Sequence, residues 1–545
     1  MSEPSVAAAA IAANDSTEPS AKEKVLGNAA NEIVFAVVGH VGSGTSEIAA
    51  QLRQLLMQGQ LPGGAFDAEI IKARDVIEEW ANKNGFAVPH TRNDVNTTIA
   101  LQELGDRMRA TAPDYGAVAE GVARRIRRVR AEKLGVTPAE REAVLPDGKR
   151  RAYIVDSIRH PSEVELLRHI YQDAFVLIGV VCEEEIRIDR LTNKYGNAGR
   201  VAALDLMARD AKGASKNGQR VSDAFHLADF FIDNSLSRTV EGGQGNPDWH
   251  VIDHLSRLVK IVTHAEVVRP SIAETAMHHA YSASMRSACL SRQVGAALID
   301  KNGNVVATGT NEAPRAGGGV YGESFNEHAP DHRCAYAGGF CRNTFQQHKM
   351  ITDLIGAIPE LHQAPPERKA LIAMEIRSSG IGDLLEFSRA VHAEMDALLS
   401  AARIGKSTMG CRLFVTAFPC HYCARHVVSA GVDEVQYIEP YPKSQALRLH
   451  EDSIQTTTIG WSAPSVVPDG AAGRVLFRPF VGVAPRMYRR AFLKDRELKI
   501  KDTGLFNIGQ PDWGTPWHLR AAGYADLESK LGAAGTDASQ VEAPA

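Results

Sequence analysis

Apolar residues along the chain fall into two patterns, short β-branched runs and longer stretches with helical spacing, and their order predicts the architecture. The run Glu32-Ile-Val-Phe-Ala-Val-Val38 reads as a strand that ends in Gly39-His-Val-Gly-Ser-Gly-Thr-Ser46 and leads into a helix-like stretch with Ile48, Leu52, Leu55 and Leu56. Further runs at Tyr153 to Val155, Phe175 to Val181 and Phe230 to Ile232 are separated by longer amphipathic segments. That order suits crossover units around a parallel sheet, so the first half reads as α/β. Turn-forming residues from Glu241 to Pro247 precede a helix-like Val251 to His264, and the boundary between halves is expected just after it. Beyond it come a helix over Ser271 to Ala288 and a hairpin, Gly295 to Asp300 and Val305 to Gly309, around the Asn-Gly turn at Asn302. A long polar insertion runs from Asn311 to about Ser379. Helix, strand, helix, strand follow at Ala390 to Ile404, Arg412 to Thr416, Cys420 to Ala430 and Val435 to Tyr437.

Composition narrows the classes. The 545 residues, 44% hydrophobic and 23% charged, can fill several cores and exclude global disorder. With 61 basic against 65 acidic residues the net charge is −4, which argues against a nucleic-acid coat protein. Seven cysteines, four of them in two short clusters, fit thiols in a reducing compartment better than a disulfide framework, so a cytoplasmic location is expected. No apolar run reaches spanning length and no membrane partner is expected. The divisions expected are a disordered tail over 1–29, a first domain over 30–264, a second over 265–500 and a partly disordered segment over 501–545. The basic stretch Arg124 to Arg130 reads as a solvated helix face, and Trp513 and Trp517 as a cap on the core.

The densest chemistry lies in His392-Ala-Glu394 followed by Pro419-Cys420-His-Tyr-Cys423. Residues two apart do not share a helix face, so His392 and Glu394 meet one cavity only from a helix start. Cys420 and Cys423 bracket one turn after a proline, where a helix N-terminus favours thiolates. Three ligands leave one position open on Zn2+, the catalytic arrangement, because water held there has its pKa lowered to about 7. Glu394 is then left to move protons as general acid and base.

This spacing resembles the H-x-E…P-C-x-x-C signature of zinc nucleobase deaminases. The surrounding segments Ser287 to Ala296 and Gly309 to Arg315 resemble the deoxycytidylate deaminase branch of the cytidine deaminase family. The resemblance implies a cytidine deaminase-like α/β/α fold and a sugar contact for Asn311. It also implies a backbone contact of Ala393 to the base and a pocket wall of Thr416 and Phe418. Lys443 and Ser444, after the next strand, are the phosphate candidates, although they also fit an ordinary exposed loop.

In the first half, Gly39, Gly42, Gly44, Thr45 and Ser46 follow the P-loop pattern, with Thr45 where that motif has lysine. A P-loop NTPase- or kinase-like parallel-sheet domain is expected, its loop amides cradling phosphate and Asp156 on the metal side, without catalysis. Such a half ahead of a deaminase half resembles the bacterial anti-phage deoxycytidine triphosphate deaminases. That resemblance implies conversion of dCTP, or of dCMP, to the deoxyuridine nucleotide, depletion of dCTP in antiviral defence, a regulatory nucleotide at the first domain and a homo-oligomer. The alternatives are a housekeeping dCMP deaminase, a polynucleotide cytosine or adenine editor, which the charge disfavours, and a non-catalytic nucleotide sensor. His328, His332, Cys334 and Cys341 in the insertion are a second cluster with zinc-ligand chemistry but no clean paired spacing.

Overall fold

The computed structural model describes residues 30–507 except 60–63, 92–93, 140–141, 197–198, 214, 241, 323–329, 385, 442, 469–472 and 495–497. The expected tail over 1–29, most of 501–545, Trp513, Trp517 and His328 therefore lie outside the described residues.

Two six-stranded sheets organise the chain. The first contains β1 (Glu32–Val38), β2 (Asp67–Lys72), β3 (Arg151–Ile158), β4 (Phe175–Val181) and β5 (Phe230–Asp233), all parallel in the order β5-β4-β1-β3-β2. The β-branched runs of β1 and β4 are buried along their whole length, as strands covered on both faces must be. Val34, Ala36 and Val38 of β1 enter one core and Ile33, Phe35 and Val37 the other, the period-two alternation of a pleated strand. The helices Thr45–Met57 and Val251–Val262 cover the second face. Ala117–Leu134 and Pro161–Tyr171 cover the first.

The second sheet has the order β7-β6-β8-β9-β11-β10, with β6 (Gly295–Ile299), β7 (Val305–Thr310), β8 (Arg412–Ala417), β9 (Glu434–Glu439), β10 (Ile454–Gln455) and β11 (Val475–Pro479). Antiparallel β6 joins the hairpin partner β7 to β8, and β8, β9, β11 and β10 run parallel. The chain then returns to the first sheet. β12 (Gly482–Val483) pairs antiparallel with Phe230 and Phe231, and the helix Pro485–Phe492 sends Met487 and Ala491 into the core of the first half. One apolar cluster also runs from Val34 and Phe231 through Met277 and Ala280 of the helix Ile272–Ser284 to Phe414 of β8, so the two sheets share a core.

Two local expectations change. The insertion contains helices at Arg342–Ala357, Pro359–His362 and Pro366–Ser378; the last buries no residue, so its sequence carries no core-facing apolar period. The basic stretch Arg124 to Arg130 is not wholly solvated. Arg130 is fully buried against Glu32 at 2.8 Å, because its helix packs over the start of β1. No helix among the described residues is long and apolar enough to cross a membrane.

Candidate metal centre and active site

Two helix starts converge beyond the carboxyl end of β8. His392 occupies the cap position of the helix Ala393–Arg403 and has extended backbone angles, which resolves the two-residue spacing to Glu394 in the first turn. Cys420 caps the helix His421–Ser429, with Cys423 one turn on. His392 Nδ1 lies 3.4 Å from the sulfur of Cys420 and 3.4 Å from that of Cys423. Tetrahedral zinc with ordinary bond lengths separates nitrogen and sulfur ligands by roughly 3.5 Å, so this donor set fits that ion. Among the described residues these three are the group able to hold a metal, their ligand atoms all within 4.8 Å of one another. His332, Cys334 and Cys341 do not gather into a second such group.

Electrostatics in the cluster follow from burial and mutual hydrogen bonding. The Cys420 thiol is drawn down to about 4, first by its hydrogen bond with Cys423 and then by His392. His392 is raised to about 9 by its hydrogen bond to Cys420, against its burial. Cys423 is raised, chiefly by the hydrogen bond to Cys420. Glu394 is 4% exposed, and burial raises its carboxyl above the ordinary range while the charge of His392 opposes the rise.

The helix bearing His392 and Glu394 is held from behind by β7. Thr310 N donates to the buried Asp396 carboxylate at 3.1 Å. A Cβ added at Gly309 would stand 2.1 Å from Ala393 O and 2.4 Å from Ala397 N, so glycine here is what lets strand and helix approach. Because those atoms are backbone and cannot swing aside, Gly309→Ala is expected to cost at least about 3 kcal/mol, read as a lower denaturant midpoint. It should also lower zinc content by displacing the helix start.

A cavity of about 340 Å³ opens onto the cluster, lined among others by His392, Glu394, Cys420, Phe418, Asn311 and Lys443. Asn311 spends its amide on the wall: Oδ1 accepts from Val294 N at 2.7 Å and Nδ2 donates to Arg292 O at 2.7 Å. Ser444 does not line the cavity; its hydroxyl donates to Pro419 O at 2.8 Å and so braces the turn ahead of Cys420. Ala393 is core, and Thr416 lies behind the wall, its hydroxyl accepting from Gly295 N at 3.1 Å. Cavity-lining residues outside the sequence-derived set include Arg292, Arg342, Arg389 and Tyr441. Arg342 and Arg389 belong to no motif, and only the insertion's path brings them here.

The glycine loop is a separate feature between β1 and the helix Thr45–Met57. Gly42 and Gly44 both have φ of 87°, where a side chain would be strained. Protein groups pack the loop closely: Val41 N donates to the buried Asp210 carboxylate at 2.7 Å, Asn234 Nδ2 to Ser43 O at 2.9 Å, and Arg159 to Gly39 O at 3.0 Å. Thr45 and Ser46 open the following helix, and Asp156 stands opposite Val37 in the β1–β3 register.

Comparison with known proteins bears on the second half. The model of the cytidine and deoxycytidylate deaminase zinc-binding region matches residues 270–439. The deoxycytidylate deaminase of Enterobacteria phage T2 is 33% identical over 175 residues, which cover 32% of this chain and 82% of that protein. Its counterpart from Enterobacteria phage T4 is 34% identical over 177 residues, covering 32% of this chain and 80% of that protein. A crystal structure of the dCMP deaminase from cyanophage S-TIM5 in complex with dCMP and dUMP aligns with 34% of this chain and 93% of that one, at 23% identity and a TM-score of 0.20.

Proposed function

The chain belongs to the zinc-binding cytidine and deoxycytidylate deaminase family, and on that premise we propose that it hydrolyses the C4 amino group of a deoxycytidine nucleotide, dCTP or dCMP, to yield the deoxyuridine nucleotide and ammonia. The observation that carries this reading is a buried carboxyl, Glu394, in the same cavity as a ligand set of zinc dimensions. His392, Cys420 and Cys423 would hold the ion, which when bound supplies Lewis acidity that activates a water molecule.

The remaining work falls to the chain's own groups. Glu394 accepts the proton released by the attacking water and delivers it to N3 of the base, then takes the proton of the new C4 hydroxyl and passes it to the amine as the C4–N bond breaks and the C4 carbonyl forms; one water is consumed and one ammonia leaves. Burial raises its carboxyl above the range of an exposed glutamate, the direction that favours delivering a proton to the base. Phe418, in edge contact with Tyr437 at 4.8 Å, provides an apolar wall that keeps bulk water from the base. Asn311 fixes the backbone at Arg292 and Val294, which also line the cavity.

The triphosphate and an antiviral role, in which dCTP is withdrawn from phage DNA synthesis, are supported by the glycine-loop half that precedes the deaminase half. A regulatory nucleotide at that loop is supported by Ser43, whose hydroxyl is buried, curls toward Gly39 and has no hydrogen-bond partner among the described residues. The test is to offer the zinc-loaded full chain dCTP, dCMP and deoxycytidine and to follow ammonia and uracil product. Turnover of at least one nucleotide, abolished by a chelator and restored by zinc, is expected. No turnover of any of them by zinc-loaded protein overturns the reading.

A further inference from the structure

The mouth of the catalytic cavity carries more positive charge than a nucleoside or a single phosphate requires. Arg292, Arg342, Arg389 and Lys443 all line it, and among the described lining residues the acidic side chain is Glu394, at the zinc-ligand end. Arg292 is partly neutralised by Glu439 at 2.9 Å. Arg342 lies within the insertion, at the first turn of the helix Arg342–Ala357, and Arg389 beyond it, three residues before His392.

Both are organised in advance. The Arg342 guanidinium lies over the Phe340 ring, 4.3 Å from its centre, which holds its plane while leaving its edge available. Arg389 donates to His332 O, spending part of a five-donor fork. The two are tied together by the residue next to Arg342. Asn343 Nδ2 donates to Leu384 O at 2.9 Å and its Oδ1 accepts from Phe387 N at 3.3 Å, while Gln347 donates to Leu384 O at 2.8 Å. The segment leading to Arg389 is thereby clamped to the helix that begins with Arg342. Two rigidly placed forks of this kind fit phosphate oxygens, and pre-placing them removes the ordering cost that flexible side chains would incur on binding.

We infer that Arg342 and Arg389 form a distal-phosphate subsite that makes the cavity selective for the triphosphate of the deoxycytidine nucleotide over the monophosphate. This rests on the proposed reaction. A monophosphate carries roughly −1.5 to −2 near neutrality, and each further phosphoryl group adds roughly one more negative charge. Lys443, in the loop after β9, and Arg292, ahead of β6, serve the phosphate nearest the sugar, and Arg342 and Arg389 serve the rest.

The experiment compares wild type with R342A/R389A and with the charge-keeping R342K/R389K, all zinc-loaded, in two assays. In turnover, the ratio of kcat/KM for dCTP to that for dCMP is expected to fall at least about tenfold in R342A/R389A, through KM, and to recover in part with lysine. In binding, inorganic triphosphate is expected to inhibit wild type and to lose at least about tenfold in affinity in R342A/R389A, with orthophosphate weak against both. An unchanged ratio overturns the subsite, whether both substrates decline equally or neither does, and so does undiminished inhibition by inorganic triphosphate. A wild type that turns over dCMP alone refutes the subsite while leaving the deaminase reading intact. A wild type that binds inorganic triphosphate through these arginines yet deaminates nothing refutes the deaminase reading instead.

Discussion

Replacing Glu394 with glutamine is expected to lower kcat by at least about 10³-fold while leaving zinc bound at one ion per chain. The amide preserves the shape of the side chain and its place in the first turn of the helix Ala393–Arg403, yet it cannot take a proton from water or hand one to the leaving amine. Proton transfer by a positioned side chain is worth typically 10² to 10⁴, and here one group serves at several steps, so the upper part of that range applies. Glu394 is nearly fully buried and hydrogen-bonded to Cys423, so a purely structural role would show differently: E394Q would lose zinc or unfold earlier in denaturant. Retained zinc, retained stability and lost turnover together identify a proton carrier. Retained turnover sinks the assignment, and with it the division of labour between ligands and acid.

The zinc ligands and Glu394 could be read from the sequence because their relation is local. A helix cap, its first turn and a proline-led C-x-x-C set the geometry within a few residues, and only the joining of the two helix starts needed the fold. The apolar runs of β1, β4 and β5 were visible for a similar reason, since strand segments buried on both faces are nearly continuous in apolar residues. β2 escaped notice because Asp67-Ala-Glu-Ile-Ile-Lys72 is charged at three of six places and lies at the sheet edge. Ser444, for which the sequence leaves a phosphate ligand and an ordinary loop both open, is more instructive. A hydroxyl after prolines is a plausible phosphate ligand by type, and only the three-dimensional path shows that a carbonyl, Pro419 O, already holds it. Arg342 and Arg389 lie 47 residues apart in a segment with no motif, so nothing in their spacing announces a shared cavity; the Asn343 and Gln347 hydrogen bonds supply what spacing does not.

Substituting Cys420 with serine is expected to weaken zinc binding by well over about 100-fold, the upper end of what losing a ligand's own hydrogen-bond partner costs, because here a ligand itself is removed. The serine hydroxyl ionises far less readily than a thiol already drawn down to about 4, so it offers the ion a neutral oxygen in place of a thiolate. Two consequences follow that do not depend on turnover. Metal content after dialysis should fall from one zinc per chain toward none. The protein should also lose the stabilisation that a bound ligand confers, about 2.7 to 4.1 kcal/mol when free zinc stands 100 to 1,000 times above its Kd. That loss appears as a Tm that no longer rises with added zinc. Cys411→Ser is the control: that thiol is buried too, with burial raising its pKa, but it points to Ser407 O at 3.6 Å, away from the cluster. Zinc-responsive melting should survive in C411S and vanish in C420S, because the ion would join the starts of two helices whose bodies already share a core through Ala397, Ala401, Ala424 and Val427. If C420S keeps its zinc and its metal-dependent Tm, the ion is held elsewhere, and neither the open coordination position nor the role of Glu394 beside it stands.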